Sequence, residues 1–160
     1  MKALCAALLS AVLLQVAPAF AATSGAPPLA GKWAVDVSRL PMPPEARPRS
    51  VTITFAAAEE NKWTTRVEIV DAAGAKSQAE GTAPLDGTPT PVQGSMETDM
   101  AAVKMPMPNV LVMQLGKGGV PASTRIYAVA ADGKTMVETA AYFAQDGKPI
   151  LRTAYFTRMP

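Results

Sequence analysis

From Val51 onward the chain is written in period two, and its apolar–polar alternations are cut at short intervals by Asp-Gly pairs. Val51, Ile53 and Phe55 alternate with Thr52 and Thr54, and Trp63, Thr65, Val67 and Ile69 with Thr64, Arg66, Glu68 and Val70. Side chains two apart point to the same side of a strand, so each run reads as a strand with one core face and one mostly solvated face. The same chemistry returns over residues 110–115, 124–130, 135–143 and 150–157. Between the runs lie turn signals: Asp71-Ala72-Ala73-Gly74, Asp86-Gly87, Gly116-Lys117-Gly118-Gly119, Asp132-Gly133 and Asp146-Gly147. Such pairs tolerate the positive φ that tight hairpins need, so consecutive strands should be antiparallel neighbours. The chain therefore predicts an all-β, antiparallel up-and-down meander of eight to ten strands. A meander of that size protects its edges by closing on itself or splitting into two sheets, and a closed barrel is the expectation.

The first residues carry a different signal. Lys2 precedes an apolar run over residues 3–16, interrupted by Ser10 and Gln15, and Ala19-Phe20-Ala21 has the small-x-small form of a cleavage site. That length suits a secretory leader and is too short for a membrane span. The expected organisation is a leader over 1–21, a flexible tether over 22–28 and a single β-barrel domain over 29–160. The mature protein is expected to be exported, and its compartment to be the periplasm. The single cysteine of the chain, Cys5, falls in the leader, so the mature domain would rely on core burial without disulfides. Of 15 basic residues only Lys2 lies before Ala22, leaving 14 against 13 acidic ones. They are scattered singly, which argues against nucleic acid as partner. No second apolar stretch is long enough to cross a bilayer.

Prolines mark the connections. Pro41, Pro43, Pro44 and Pro48 crowd residues 40–48, which can be neither helix nor interior strand; further Pro-bearing connections are expected at 84–91 and at Met105-Pro106-Met107-Pro108. Residues 95–104 admit two readings, a short helix capped by Ser95 or a strand ending at the prolines.

Histidine is absent, and so is cysteine after residue 21. This removes Ser-His-Asp and Cys-His nucleophile systems and zinc sites built on His or Cys. The acidic residues Glu59, Glu60, Glu68, Glu80, Glu97, Asp99 and Glu138 do not assemble a recognisable acid–base pair. Of these, Glu138 shares strand parity with Met136, Ala140 and Tyr142 and is a candidate for an inward position. No enzyme activity and no cofactor are expected. Met96, Met100, Met105, Met107 and Met113 offer soft sulfur ligands, yet the His or Cys that would complete a copper site is lacking, and methionine also fills core gaps. No metal site is therefore expected.

Arg125 and Tyr127 lie two apart on one face, where an inward guanidinium and hydroxyl would grip a carboxylate by charge-assisted hydrogen bonds. Ser123-Thr124-Arg125-Ile126-Tyr127 resembles the strand with which fatty-acid-binding proteins hold their ligand. Arg152, in line with Ala154 and Phe156, is a second candidate. Small residues on several strand faces (Ala128, Ala130, Ala140, Ala154) leave either a cavity or a flattened barrel whose walls touch.

Gly31-Lys32-Trp33 opens the first predicted strand, and this Gly-x-Trp resembles the signature of the lipocalin superfamily. With Pro91-Val92-Gln93-Gly94, Lys117-Gly118-Gly119, and Asp-Gly-Lys at 132–134 and 146–148, the chain resembles a group of small exported bacterial lipocalin-like domains without an established activity. The resemblance implies a barrel with Trp33 at its closed end, and favours a strand over 98–104. It supplies no catalytic residues, and haem-binding relatives use a histidine that this chain lacks. The function expected is non-enzymatic binding of a small apolar or amphipathic molecule, oriented by Arg125, Tyr127 and Arg152. The alternative is a dry barrel that binds another protein through its loops, the 105–108 segment foremost.

Overall fold

The computed structural model describes residues 26–160. The expected leader, Cys5 and the first residues of the tether lie outside them. Ten strands form one antiparallel sheet: β1 (Gly31–Val35), β2 (Ser50–Ala58), β3 (Lys62–Val70), β4 (Lys76–Pro84), β5 (Thr90–Pro91), β6 (Met100–Met107), β7 (Val110–Lys117), β8 (Val120–Val129), β9 (Thr135–Phe143) and β10 (Pro149–Arg158). Their order is β4-β3-β2-β1-β10-β9-β8-β7-β6-β5, a meander whose first strand pairs with its last. The expected all-β meander is thus present as a nearly closed barrel.

Two joints close it. Across the first, Trp33 lies opposite Arg158 and Val35 opposite Phe156. Trp33 is fully buried, and its indole Nε1 donates to the Leu29 carbonyl at 2.9 Å. Arg158 spreads its guanidinium 4.1 Å above the Trp33 ring. The same group donates to the carbonyls of Gly133 (2.7 Å), Ala30 (2.7 Å) and Pro28. Five donors in a planar fork let one arginine satisfy three carbonyls at once. The Gly-x-Trp strand thus forms a plugged end, as the resemblance implied.

The second joint is narrow. Between β4 and β5–β6 the ladder reduces to a Glu80–Gln93 pair, with N–H···O distances of 2.8 and 2.9 Å, and an Asp86–Lys104 bridge nearer the plugged end. The Pro91-Val92-Gln93-Gly94 motif makes this seam. Gly94 sits at φ +73°, and a Cβ there would lie 2.1 Å from the Gln78 carbonyl oxygen. Only glycine brings two backbones this close.

The interior is packed unevenly. Trp33, Ile53, Phe55, Trp63, Leu111 and Tyr127 are among the buried residues near the plugged end. Phe55 meets Tyr127 edge-on at 5.2 Å between centroids, and Tyr127 meets Phe156 likewise at 6.2 Å. Toward the opposite end, the inward residues Val51, Val67, Ile69, Ala79, Ala140 and Tyr142 are only half-buried. We call that end the mouth; it carries the 36–49 connection and the turns at 71–75, 118–119 and 144–148.

Several expectations are corrected. Met105-Pro106-Met107 is not a connection: it lies in β6, where the register shifts between Lys104 and Met107. Pro106 is tolerated because a bulge there relieves the ladder. The chain reverses over Pro108 and Asn109 alone. Within residues 40–48, Pro44–Ala46 forms one 3₁₀ turn, with proline at a first-turn position where its missing N–H costs nothing. Asp86-Gly87 belongs to the β4–β5 connection rather than to a two-residue hairpin. The two readings of 95–104 each hold in part: Ser95 Oγ accepts from the N–H groups of Glu97 (3.1 Å) and Thr98 (3.2 Å), but no helix follows, and the strand starts at Met100.

Gly94→Ala is expected to cost at least ~2 kcal/mol, from backbone strain plus the clash. Gly133→Ala (φ +66°, open space around it) should lose only ~1 kcal/mol. Urea midpoints at constant slope compare the two; equal losses would mean the seam does not bear on stability. A second expectation concerns acid. Asp132 accepts from the backbone N–H groups of Lys134 (2.8 Å) and Thr135 (3.0 Å), which hold its carboxyl below the ordinary aspartate range. The stability it adds to the β8–β9 turn is therefore complete above that range and is lost as pH falls through the folded value. The amide resonances of Lys134 and Thr135 should titrate with a midpoint below that of free aspartate.

Candidate functional site

Strand register sets the site. Across the inner wall, Val103, Met113, Arg125, Ala140 and Arg152 lie opposite one another in a single row over β6, β7, β8, β9 and β10. The next row toward the plugged end contains Leu111, Tyr127, Glu138 and Ala154. Arg125, Tyr127 and Glu138 therefore meet because β8 and β9 pair in this register, and a slip of one residue between the two strands would put Glu138 on the opposite face from Arg125 and Tyr127.

Arg125 is mostly withdrawn from solvent, its side chain 27% exposed, and Glu138 more so at 10%. Arg125 Nη1 donates to Glu138 Oε1 at 3.1 Å, and the Tyr127 hydroxyl donates to the same oxygen at 3.2 Å. Arg125 Nη2 donates at 2.6 Å to Glu97 Oε2, whose side chain is 73% exposed. Nε lies 3.4 Å from Ser123 Oγ. The guanidinium thus has an inner partner sealed in the barrel and an outer partner bathed in solvent.

The electrostatics follow from this arrangement. Burial alone would lower the Arg125 pKa, but the carboxylates of Glu138 and Glu97 raise it, so the guanidinium stays charged. Burial pushes the Tyr127 hydroxyl up, and the Glu138 carboxylate adds to the rise, so Tyr127 remains a neutral donor. Removing one member of a buried ion pair costs ~3–5 kcal/mol because the other charge is stranded, whereas an exposed pair is worth ~0–1 kcal/mol. The Arg125–Glu138 pair is a fixture of the wall, and the Arg125–Glu97 pair is exchangeable.

The three candidate residues have separate fates. Arg125 faces inward at the boundary between aromatic floor and mouth. Tyr127 is buried, its hydroxyl committed to Glu138. Arg152 shares the inner row of Arg125 but is exposed at the mouth, its guanidinium 5.3 Å over the Tyr142 ring. Arg125 and Arg152 are two strands apart, about 10 Å between Cα atoms. Among the described residues Arg152 makes no ion pair. Strand parity identified Glu138 as an inward candidate, and the fold supplies its partners. Glu97 had no such signal, since it reaches Arg125 from a loop 28 residues earlier in the chain.

The other clusters carry no comparable geometry. Glu60 and Asn61 form the β2–β3 turn at φ 57° and 58°, and Glu68 pairs with Lys32 at 2.8 Å on the outer face. The methionines diverge: Met113 is buried, Met105 packs against the core, and Met96 is 89% exposed. Among the described residues no three His, Cys, Asp or Glu side chains group as metal ligands. A crevice of about 630 Å³ lies along the seam between Gln78, Glu80 and Thr82 on β4 and Gln93 and Gly94 beside it.

Glu138→Ala is expected to destabilise the barrel by ~3 kcal/mol, and Tyr127→Phe by about 1.5 kcal/mol, as loss of a hydrogen bond to a charged group. Because both act on one carboxylate oxygen, the double variant should lose measurably less than the sum. Strict additivity in denaturant unfolding would show that the hydroxyl and carboxylate do not interact.

No protein-family profile matches the chain, and no curated protein matches it in sequence. Among solved structures it is similar to a mutant of the fluorescent protein UnaG, with a TM-score of 0.52 and 14% identity over 81% of this chain and 94% of that one. At that identity the likeness concerns fold, and the fold is a lipocalin-like, nearly closed antiparallel β-barrel.

Proposed function

We propose that the mature chain is an exported, non-enzymatic binding protein that holds a small amphipathic molecule in the mouth half of its barrel. The observation that carries this reading is the inward Arg125, oriented by a buried carboxylate where the aromatic floor ends and half-buried apolar wall begins. A charge placed there serves no packing need, since an apolar residue would fill the wall at lower desolvation cost. The apolar part of a ligand would lie against Val51, Val67, Ile69, Ala79 and Ala140, each removing accessible area at about 25 cal/mol per Å². Its polar head would meet Arg125 from the solvent side, with Arg152 as a second cation. Tyr127 acts through Glu138 as a positioning residue. The protein-binding alternative put the 105–108 segment foremost among its loops; of that segment residues 105–107 lie in β6, and only Pro108 stands in a turn.

Native mass spectrometry of protein purified without denaturation from the periplasm of its host tests both halves of the reading. The expected spectrum shows a chain beginning at Ala22 with a retained small-molecule mass, and the added mass disappears in Arg125→Ala. Retention unchanged in that variant would remove Arg125 from the site. A chain still carrying residues 1–21 would remove export by cleavage. A bare mature mass that gains nothing on soaking with amphiphiles would sink the binding function.

A further inference from the structure

The segment between β5 and β6 is anchored at both ends, and between them it is held by the Ser95 turn and by the Glu97–Arg125 pair. At one end Gln93 pairs with Glu80, and Gly94 lies on the Gln78 carbonyl. At the other, the buried Thr98 places its hydroxyl 2.7 Å from the Gly116 carbonyl and 2.8 Å from that of Met100. Beside it, Asp99 Oδ2 accepts from the Gly118 N–H at 2.9 Å. The segment therefore runs as a strap from β4 to the β7–β8 hairpin at the mouth. At its apex Met96 stands 89% exposed, and Glu97 turns back to Arg125.

We propose that Glu97 sets which head-group charge the mouth accepts: its carboxylate stands in for a ligand anion on the outer face of Arg125, and an anionic head binds by taking its place. This rests on the reading of Arg125 as the head-group residue. Glu138 holds Nη1 on the inner side and Glu97 holds Nη2 on the solvent side, so an anionic head that takes the Nη2 edge meets Glu97 there. Arg125, Glu138 and Glu97 together carry one net negative charge. An anion that replaces Glu97 leaves that charge unchanged, whereas an anion added beside it puts a third carboxylate-like group around a single cation. Glu97 and an anionic head therefore compete for that edge. A neutral head, which asks only for a hydrogen bond, competes far less. The same strap thereby makes binding of anions weaker and exchangeable.

The test uses two fluorescent probes with one tail, pyrene-dodecanoate and pyrene-dodecanol, titrated into wild type, Glu97→Gln, Arg125→Ala and Glu59→Gln. Glu59 is an exposed glutamate in the β2–β3 turn at the plugged end and controls for net charge. Glu97→Gln should tighten the carboxylate probe about fivefold, the scale of an exposed ion pair removed as competitor, and leave the alcohol within about twofold. Glu59→Gln should change neither. Equal tightening by Glu97→Gln and Glu59→Gln would reduce the effect to net charge and overturn the proposal. If Arg125→Ala weakens the carboxylate probe while Glu97→Gln does nothing, the competitor role falls and the Arg125 reading stands. Failure of both probes to bind wild type and Glu97→Gln would overturn the binding reading, and this inference with it.

Discussion

The closure of β1 on β10 is the constraint from which the rest follows. A ten-stranded meander has two long edges, and an unclosed one exposes rows of unpaired N–H and C=O groups. Here the termini of the described chain are clamped together by Arg158, which lies over Trp33 and hydrogen-bonds the carbonyls of Pro28, Ala30 and Gly133. That clamp brings β8–β10 round to face β2–β4, and so gives the interior two opposed walls. Without it, Arg125 and Arg152 would lie on an open sheet with nothing opposite.

The two ends then diverge because of what the strands bring inside. Near Trp33 the inward side chains are large and aromatic, and they meet at ring-contact distances. Toward the mouth β4 contributes only Ser77 and Ala79, neither of which can fill space. A partly accessible mouth over a solid floor is the consequence. The polar cluster sits at the border between them, where water can still reach one side of a guanidinium whose other side is sealed. This is why one arginine has one permanent and one replaceable carboxylate.

Much of this was legible beforehand, and the gaps have physical causes. Strands β2, β3, β7, β8, β9 and β10 announced themselves by β-branched and aromatic alternation, and most of their hairpins by Asp-Gly or Gly-Gly. β4 gave no such signal, because Lys76-Ser77-Gln78-Ala79-Glu80-Gly81 holds no bulky apolar residue. It is a strand because β3 offers it a full ladder on one side. The 105–107 segment misled for the opposite reason: two nearby prolines argue for a loop, but a bulge lets the strand pass through Pro106.

What the sequence by itself determined is what depends on neighbours along the chain: the period-two strands, the turns between them, the parity that puts Arg125, Tyr127 and Glu138 on inward faces, and the absence of histidine from the chemistry available. What only the tertiary structure decided is which of these groups meet. The Arg125–Glu138 pair spans 13 residues, Arg125–Glu97 spans 28, and Arg158 reaches 130 residues back to Pro28. Parity says which way a side chain points, but whether a charge points at a partner, at a wall or at solvent depends on register and closure. Those are properties of the whole sheet and of no single segment.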